Sequence, residues 1–125
     1  MASTFKELRV WQNAIETGMA IFEISKKFPF DEKFSMTDQI RRSSRSVAAN
    51  ISEAWRKRRY QAAFVSKLSD SETEAAETQT WLEFALRCGY IDAAIAAQLD
   101  ARYEEITAQL STMIRDAAKW CSPPA

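Results

Sequence analysis

Histidine is absent from this 125-residue chain, and glycine (two), proline (three) and cysteine (two) are scarce. Each shortage excludes something. Without histidine there is no imidazole acid–base catalysis, no Ser-His or Cys-His nucleophile pair, and no Glu-x-x-His motif of the di-iron bundles. A carboxylate-only or Lys/Tyr enzyme is all that catalysis is left with, and the chain is read as a non-enzyme with no cofactor and no metal. Two glycines and three prolines are too few for the turns of an all-β protein. Cys88 and Cys121 make neither a disulfide framework nor a metal-type pair, which fits reduced thiols in the cytoplasm. No apolar run approaches the 18 or so residues of a membrane span, and the first residues lack the pattern of a signal peptide. Net charge is lacking too: 17 Lys and Arg balance 17 Asp and Glu. Any attraction to nucleic acid must therefore come from where the charges lie.

What is present is helical periodicity. The length suits one domain, residues 1–125, with one hydrophobic core. Four amphipathic segments fill it, predicted at about 4–27, 37–59, 61–88 and 93–120. In the first, Thr4 and Glu7 have capping-box spacing, and Phe5, Leu8, Trp11, Ile15, Met19 and Phe22 make an apolar stripe. Phe28-Pro29 breaks it. The second carries Met36, Ile40, Val47, Ile51 and Ala54, with Ser43 and Ser44 where another apolar layer is due. Such small residues let a neighbouring helix come close. Phe64, Leu68, Ser71, Ala75, Thr78, Leu82 and Ala85 run through the third at heptad spacing, and Gly89 is placed to end it in a left-handed conformation. Asp92 is a cap for the fourth, whose stripe is Ile95, Leu99, Ile106, Leu110, Met113 and Ala117. The tail 122–125 cannot continue that helix. Short links make the expected architecture an all-α, antiparallel, up-and-down four-helix bundle. The heptads imply a left-handed twist.

Charge is segregated along this frame. At about 100° per residue, Arg41, Arg45, Arg56 and Arg59 fall within roughly 60° of one another on helix two, with Arg42 beside them. The stripe lies nearly opposite Ile40, Val47 and Ile51. Arginine's planar fork suits phosphate, and such a row is an electrostatic footprint for RNA or DNA. A solvated face, or a surface that meets acid, would look the same. Asp70, Glu74 and Glu77 form an acidic stripe on helix three that Trp81 continues, and an aromatic beside carboxylates suggests a subunit or protein-partner contact. Ser46, Asn50 and Glu53 line one flank of helix two, and Glu53 is oriented to pair with Lys57. Trp11, Trp55, Trp81 and Trp120 read as core or interface, with base stacking by Trp55 as the alternative.

Phe5-Lys-Glu-Leu-Arg-Val-Trp-Gln12, Phe28-Pro29, Gln39-Ile-Arg-Arg-Ser43 and Val47-Ala-Ala-Asn-Ile-Ser-Glu53 resemble the four-helix-bundle proteins encoded in intervening sequences of bacterial 23S rRNA genes. The resemblance continues through Glu74-Ala-Ala-Glu-Thr-Gln-Thr-Trp-Leu82 and Cys88-Gly-Tyr-Ile91. Ala54 departs from it, where the family commonly has glycine. The resemblance implies a homopentameric ring of unknown function. It also implies kinship with the accessory proteins of diversity-generating retroelements, whose basic surface is associated with nucleic acid. Arg41, Arg42 and Arg45 would belong to that surface, and Asn50 and Glu53 to a motif of unclear role. The function these features favour is a non-catalytic nucleic-acid-binding oligomer. A structural module, its arginines paired with acidic residues of neighbouring subunits, is the alternative.

Overall fold

In the computed structural model, residues 2–121 are described. Four long helices dominate: α1 (Arg9–Ser25), α2 (Met36–Arg56), α3 (Gln61–Arg87) and α4 (Ala93–Arg115), followed by a single turn, α5 (Ala117–Trp120). There is no strand among the described residues. α1 packs on α2, α2 on α3, α3 on α4, and α4 returns to α1. Across that last seam the Asn13 amide donates to Gln109 at 3.0 Å, and Arg102 reaches Glu16 at 3.3 Å.

α3 buries the seven residues of its heptad stripe, from Phe64 to Ala85. Each large apolar side chain there contributes roughly 1.5–3 kcal/mol by leaving water. Its C-terminus is closed at Gly89, whose φ of +78° lies in the left-handed region. The Tyr90 N–H donates to the Ala85 carbonyl (2.8 Å) and the Gly89 N–H to that of Leu86 (3.0 Å), the two bonds of a Schellman motif. Asp92 caps α4, its Oδ1 accepting from the Ile95 N–H at 2.8 Å. In α2 the predicted stripe is buried together with Ser43 and Ser44. Ser43 shares a hydrogen bond with Thr78 of α3 (2.8 Å), and Ser71 Oγ donates to the Val47 carbonyl (2.8 Å). Hydroxyls thus hold the α2–α3 seam where a larger apolar layer would have pushed the helices apart.

The first helix departs from expectation. A 3-10 turn spans Phe5–Glu7, Leu8 is extended, and α1 begins only at Arg9 and stops at Ser25. The Thr4–Glu7 capping box does not form. Glu7 accepts instead from the backbone N–H (3.1 Å) and hydroxyl (2.8 Å) of Ser3, while Thr4 Oγ1 accepts weakly from Lys6 N–H at 3.5 Å. The core face is also rotated. Val10, Ala14, Thr17, Ile21 and Ser25 are buried, whereas Ile15 and Met19 of the predicted stripe are 40% and 55% exposed. Thr17 and Ser25 can face inward because their hydroxyls donate to the Asn13 and Phe22 carbonyls of their own helix, at 2.7 and 2.9 Å.

Two other ends differ. α2 runs from Met36 to Arg56, so Arg59 lies beyond the helix. The fourth segment breaks at Asp116 rather than running on to Trp120. The core line of α4 also includes the fully buried Tyr103. The tail at 122–125 lies outside the described residues.

Candidate nucleic-acid interface

The five arginines singled out on the second segment form two clusters rather than one stripe. Arg41, Arg42 and Arg45 occupy the first half of α2; Arg56 and Arg59 lie at and past its end. Arg45 and Arg56 are separated by about 16 Å along the axis at 1.5 Å per residue.

The first cluster lines an open groove of about 560 Å³, with Lys33, Phe34, Thr37 and Asp38 as its other principal walls. Within it the arginines are not equivalent. Arg41 is half-buried, donating from Nε to Ser25 Oγ at 2.8 Å, with its guanidinium carbon 4.7 Å from the Phe22 ring centroid. It does not point away from the fold. It sits at the carbonyl end of α1, where a cation complements the helix dipole. Arg45 lies 5.9 Å from the same ring, and Lys26 4.7 Å. Phe22 is therefore a cation–π platform rather than a core residue. Arg42 and Arg45 are exposed, leaving their guanidinium forks open to a ligand.

At the second cluster, Ser3, Thr4, Trp55 and Arg58 join Arg56 and Arg59 around a shallow depression. Arg58, not among the predicted site residues, lies 3.5 Å over the Trp55 ring and donates from Nε to the Trp55 carbonyl at 2.9 Å. Trp55 is buried with a guanidinium on its face, which removes it as a base-stacking residue. Arg56 lies 5.9 Å from the Phe5 ring. None of Arg41, Arg42, Arg45, Arg56 and Arg59 forms a salt bridge among the described residues.

The acidic stripe runs beside α2 rather than away from it. Asp70 and Glu77 are exposed and Glu74 is half-buried. Burial pushes the Glu74 carboxyl above its ordinary value, with Glu77 adding to the effect and Arg42 opposing it. Arg42 and Glu74 therefore sense each other across the α2–α3 seam of one chain. Glu77 accepts from Trp81 Nε1 at 3.2 Å. Trp81 packs tilted on Phe84 at 5.8 Å, and Phe84 is 52% exposed.

Glu53 does not pair with Lys57. It pairs with Lys67 of α3 at 3.3 Å, a neighbour that spacing within one helix does not reveal. Asn50 donates to the Ser46 carbonyl one turn back, at 2.9 Å. Trp11 donates from Nε1 to Ser52 Oγ at 2.9 Å, joining α1 to α2 beside that flank. No group of three or more Cys, Asp or Glu among the described residues is arranged to hold a metal ion, and no described helix is long and apolar enough to cross a membrane. Both thiols are free, Cys88 exposed and Cys121 half-buried.

The exposed guanidinium forks of the arrangement are suited to anions. Periodicity along helix two does not reveal Lys33 and Phe34 as its partners. The signal for them was slight: a phenylalanine after a lysine in a polar link just ahead of the arginines.

Comparison with known proteins adds two findings. The family model described as "23S rRNA-intervening sequence protein" matches residues 6–112. Among solved structures, a protein of unknown function from the S23 ribosomal protein family of Bacteroides thetaiotaomicron VPI-5482 is similar at 33% sequence identity. The match covers 85% of this chain and 98% of that one, with a TM-score of 0.76. No curated protein matches the chain.

Proposed function

The chain belongs to the 23S rRNA-intervening sequence protein family, and from that premise we propose that it acts without catalysis, as a cytoplasmic oligomer that holds RNA or DNA along the basic face of α2. One observation carries this reading. Arg42 and Arg45 stand exposed on one side of a groove, with no ion pair inside the chain, and Arg56 and Arg59 repeat the arrangement further along. Phosphates about 16 Å apart on one strand match two such clusters. The accessory proteins of diversity-generating retroelements, which the sequence resembles, are in line with a basic surface of this kind. In the same reading the links make neighbouring helices antiparallel, an up-and-down bundle with the left-handed twist of its heptads. The pentamer is the oligomer that the family resemblance implies.

A salt titration tests it. Binding through about four phosphate contacts to single strands lowers log K against log salt with a slope near −3. Arg42→Glu with Arg45→Glu should abolish most of the affinity at low salt. Affinity indifferent to salt, or intact in the double variant, removes phosphate contact as the basis.

The Trp81–Phe84 pair favours a second reading, a purely structural module whose Asp70, Glu74, Glu77 and Trp81 meet arginines of the next subunit. Under it Trp81→Ala lowers the mass measured by light scattering, and the wild type retains no nucleic acid at any salt.

A further inference from the structure

We infer that the groove at the start of α2 takes a single strand rather than a duplex, by stacking an unpaired base on Phe34 while Lys33, Arg42 and Arg45 hold the flanking phosphates. This rests on the nucleic-acid reading above and specifies its ligand.

Phe34 is 84% exposed, the most exposed large apolar side chain described. A lone exposed aromatic means little, but three features distinguish this one. It lines the groove formed by Arg41, Arg42 and Arg45, in which four cations face one carboxylate, Asp38. Its ring already accepts a cation at one side, Lys33 Nζ lying 5.3 Å from the centroid, and leaves the rest of its surface to solvent.

The backbone that presents it is also tied down. On one side Ser35 Oγ donates to Glu32 Oε1 at 2.6 Å and the Ser35 N–H to the Glu32 carbonyl at 3.0 Å. The other Glu32 oxygen accepts from the Tyr90 hydroxyl at 2.9 Å, anchoring the segment to the α3–α4 link. Little ordering remains to be done when a flat partner arrives. A protein surface would cover Phe34 with apolar atoms. Here the charged neighbours in the groove are Lys33 and the three arginines, with the exposed Phe30 ring sharing Lys33 at 5.7 Å, and the partner offering a π-face between two anions is an unstacked nucleotide. Duplex DNA or RNA buries those faces in its own stack, so it can use the cations but not the ring.

The test compares three labelled oligonucleotides of 12 residues by fluorescence anisotropy at fixed salt: a single strand, its duplex, and an abasic strand with the same phosphates and no bases. The single strand should bind more tightly than the abasic strand, by about 5- to 150-fold for one stacked base. Phe34→Ala should lose that advantage and leave abasic and duplex binding unchanged, and Phe34→Tyr should restore it. Since the side chain is exposed, neither change disturbs the core. If the abasic strand binds as tightly as the normal one and Phe34→Ala changes nothing, stacking is overturned while phosphate contact survives. If no oligonucleotide binds at any salt, both fall. If Phe34→Ala instead lowers the mass in solution, the ring belongs to a contact between copies of this chain, and the inference is overturned.

Discussion

Tyr90 and Glu32 stand 58 positions apart and meet through a 2.9 Å hydrogen bond from phenol to carboxylate. That bond ties the two links at one end of the bundle, and its effect on both groups is opposite in sign. The carboxylate pushes the Tyr90 phenol up to about 12, with burial adding to it. Glu32 is held below its ordinary value, first by the Ser35 hydroxyl and then by Tyr90.

The pH dependence follows from those signs. A raised phenol contributes stability that is complete below its unfolded value of 10.0 and is lost as pH climbs toward 12. A depressed carboxyl contributes stability present above its unfolded value of 4.5 and lost as pH falls below it. Glu32→Gln should bring one tyrosinate absorbance step down by one to two units toward the ordinary phenol value. An unchanged titration would mean that the contact does not persist in solution.

Tyr103 carries the one described buried polar side-chain atom without a hydrogen-bond partner, its hydroxyl. The residue is 0% exposed, and burial pushes its phenol far up. A hydroxyl desolvated without compensation costs about 1–3 kcal/mol. Tyr103→Phe removes that cost while keeping the ring, so urea denaturation should show a stability gain of about 1 kcal/mol or more. Leu68→Ala in the same core should lose about 2–5 kcal/mol, which sets the scale. A loss in Tyr103→Phe would point to a buried water bonded to the hydroxyl.

Ile15 and Met19, one turn apart on α1, leave apolar surface open to solvent, at 40% and 55% exposure. Exchanging both for Gln leaves the fold nearly untouched, because surface changes of this kind stay within about 0.5 kcal/mol. If copies associate through α1, the double variant should show a lower mass in solution at unchanged helicity. An unchanged mass would move the contact to the Trp81–Phe84 side.

How far the sequence carried varies by helix, and the reason is visible in α1 and α3. On α3 every core position is an apolar or small residue at heptad spacing, so period and burial agree. On α1 two stripes compete. The one with larger residues, Trp11, Ile15, Met19 and Phe22, lost to Val10, Ala14, Thr17, Ile21 and Ser25. Spacing alone does not separate the two; the winning stripe is the one that packs against α2 and α4, and beside it a Cβ added at Gly18 would make only ordinary contact with the Ser44 carbonyl oxygen, at 3.7 Å. Phe22 then became a seat for arginines. The arginines that line the groove at the start of α2 were legible because charge patterning is local. The Lys67 partner of Glu53 and the Ser25 partner of Arg41 were not, since each depends on which helix lies alongside.

The acidic stripe meets the basic groove electrostatically through Glu74 and Arg42. Glu74 is raised mainly by burial, and Arg42 is the cation that opposes the rise. A carboxyl raised in the fold favours its neutral form. Its contribution is therefore present below the unfolded value of 4.5 and lost as pH rises through the folded value, so ionised Glu74 is a small burden at neutral pH. Glu74→Gln should stabilise the protein at pH 7 by less than about 1 kcal/mol, as befits a partly screened charge, and the gain should vanish near pH 3. Phosphate bound at Arg42 brings a second anion toward Glu74 and raises its carboxyl further. By linkage, protonating Glu74 must then strengthen binding. Oligonucleotide affinity at fixed salt should rise as pH falls through the Glu74 titration, and Glu74→Gln should bind more tightly at pH 7 with a flatter pH profile. A wild-type profile that stays as steep in the variant would show that Arg42 and Glu74 do not share the ligand's charge.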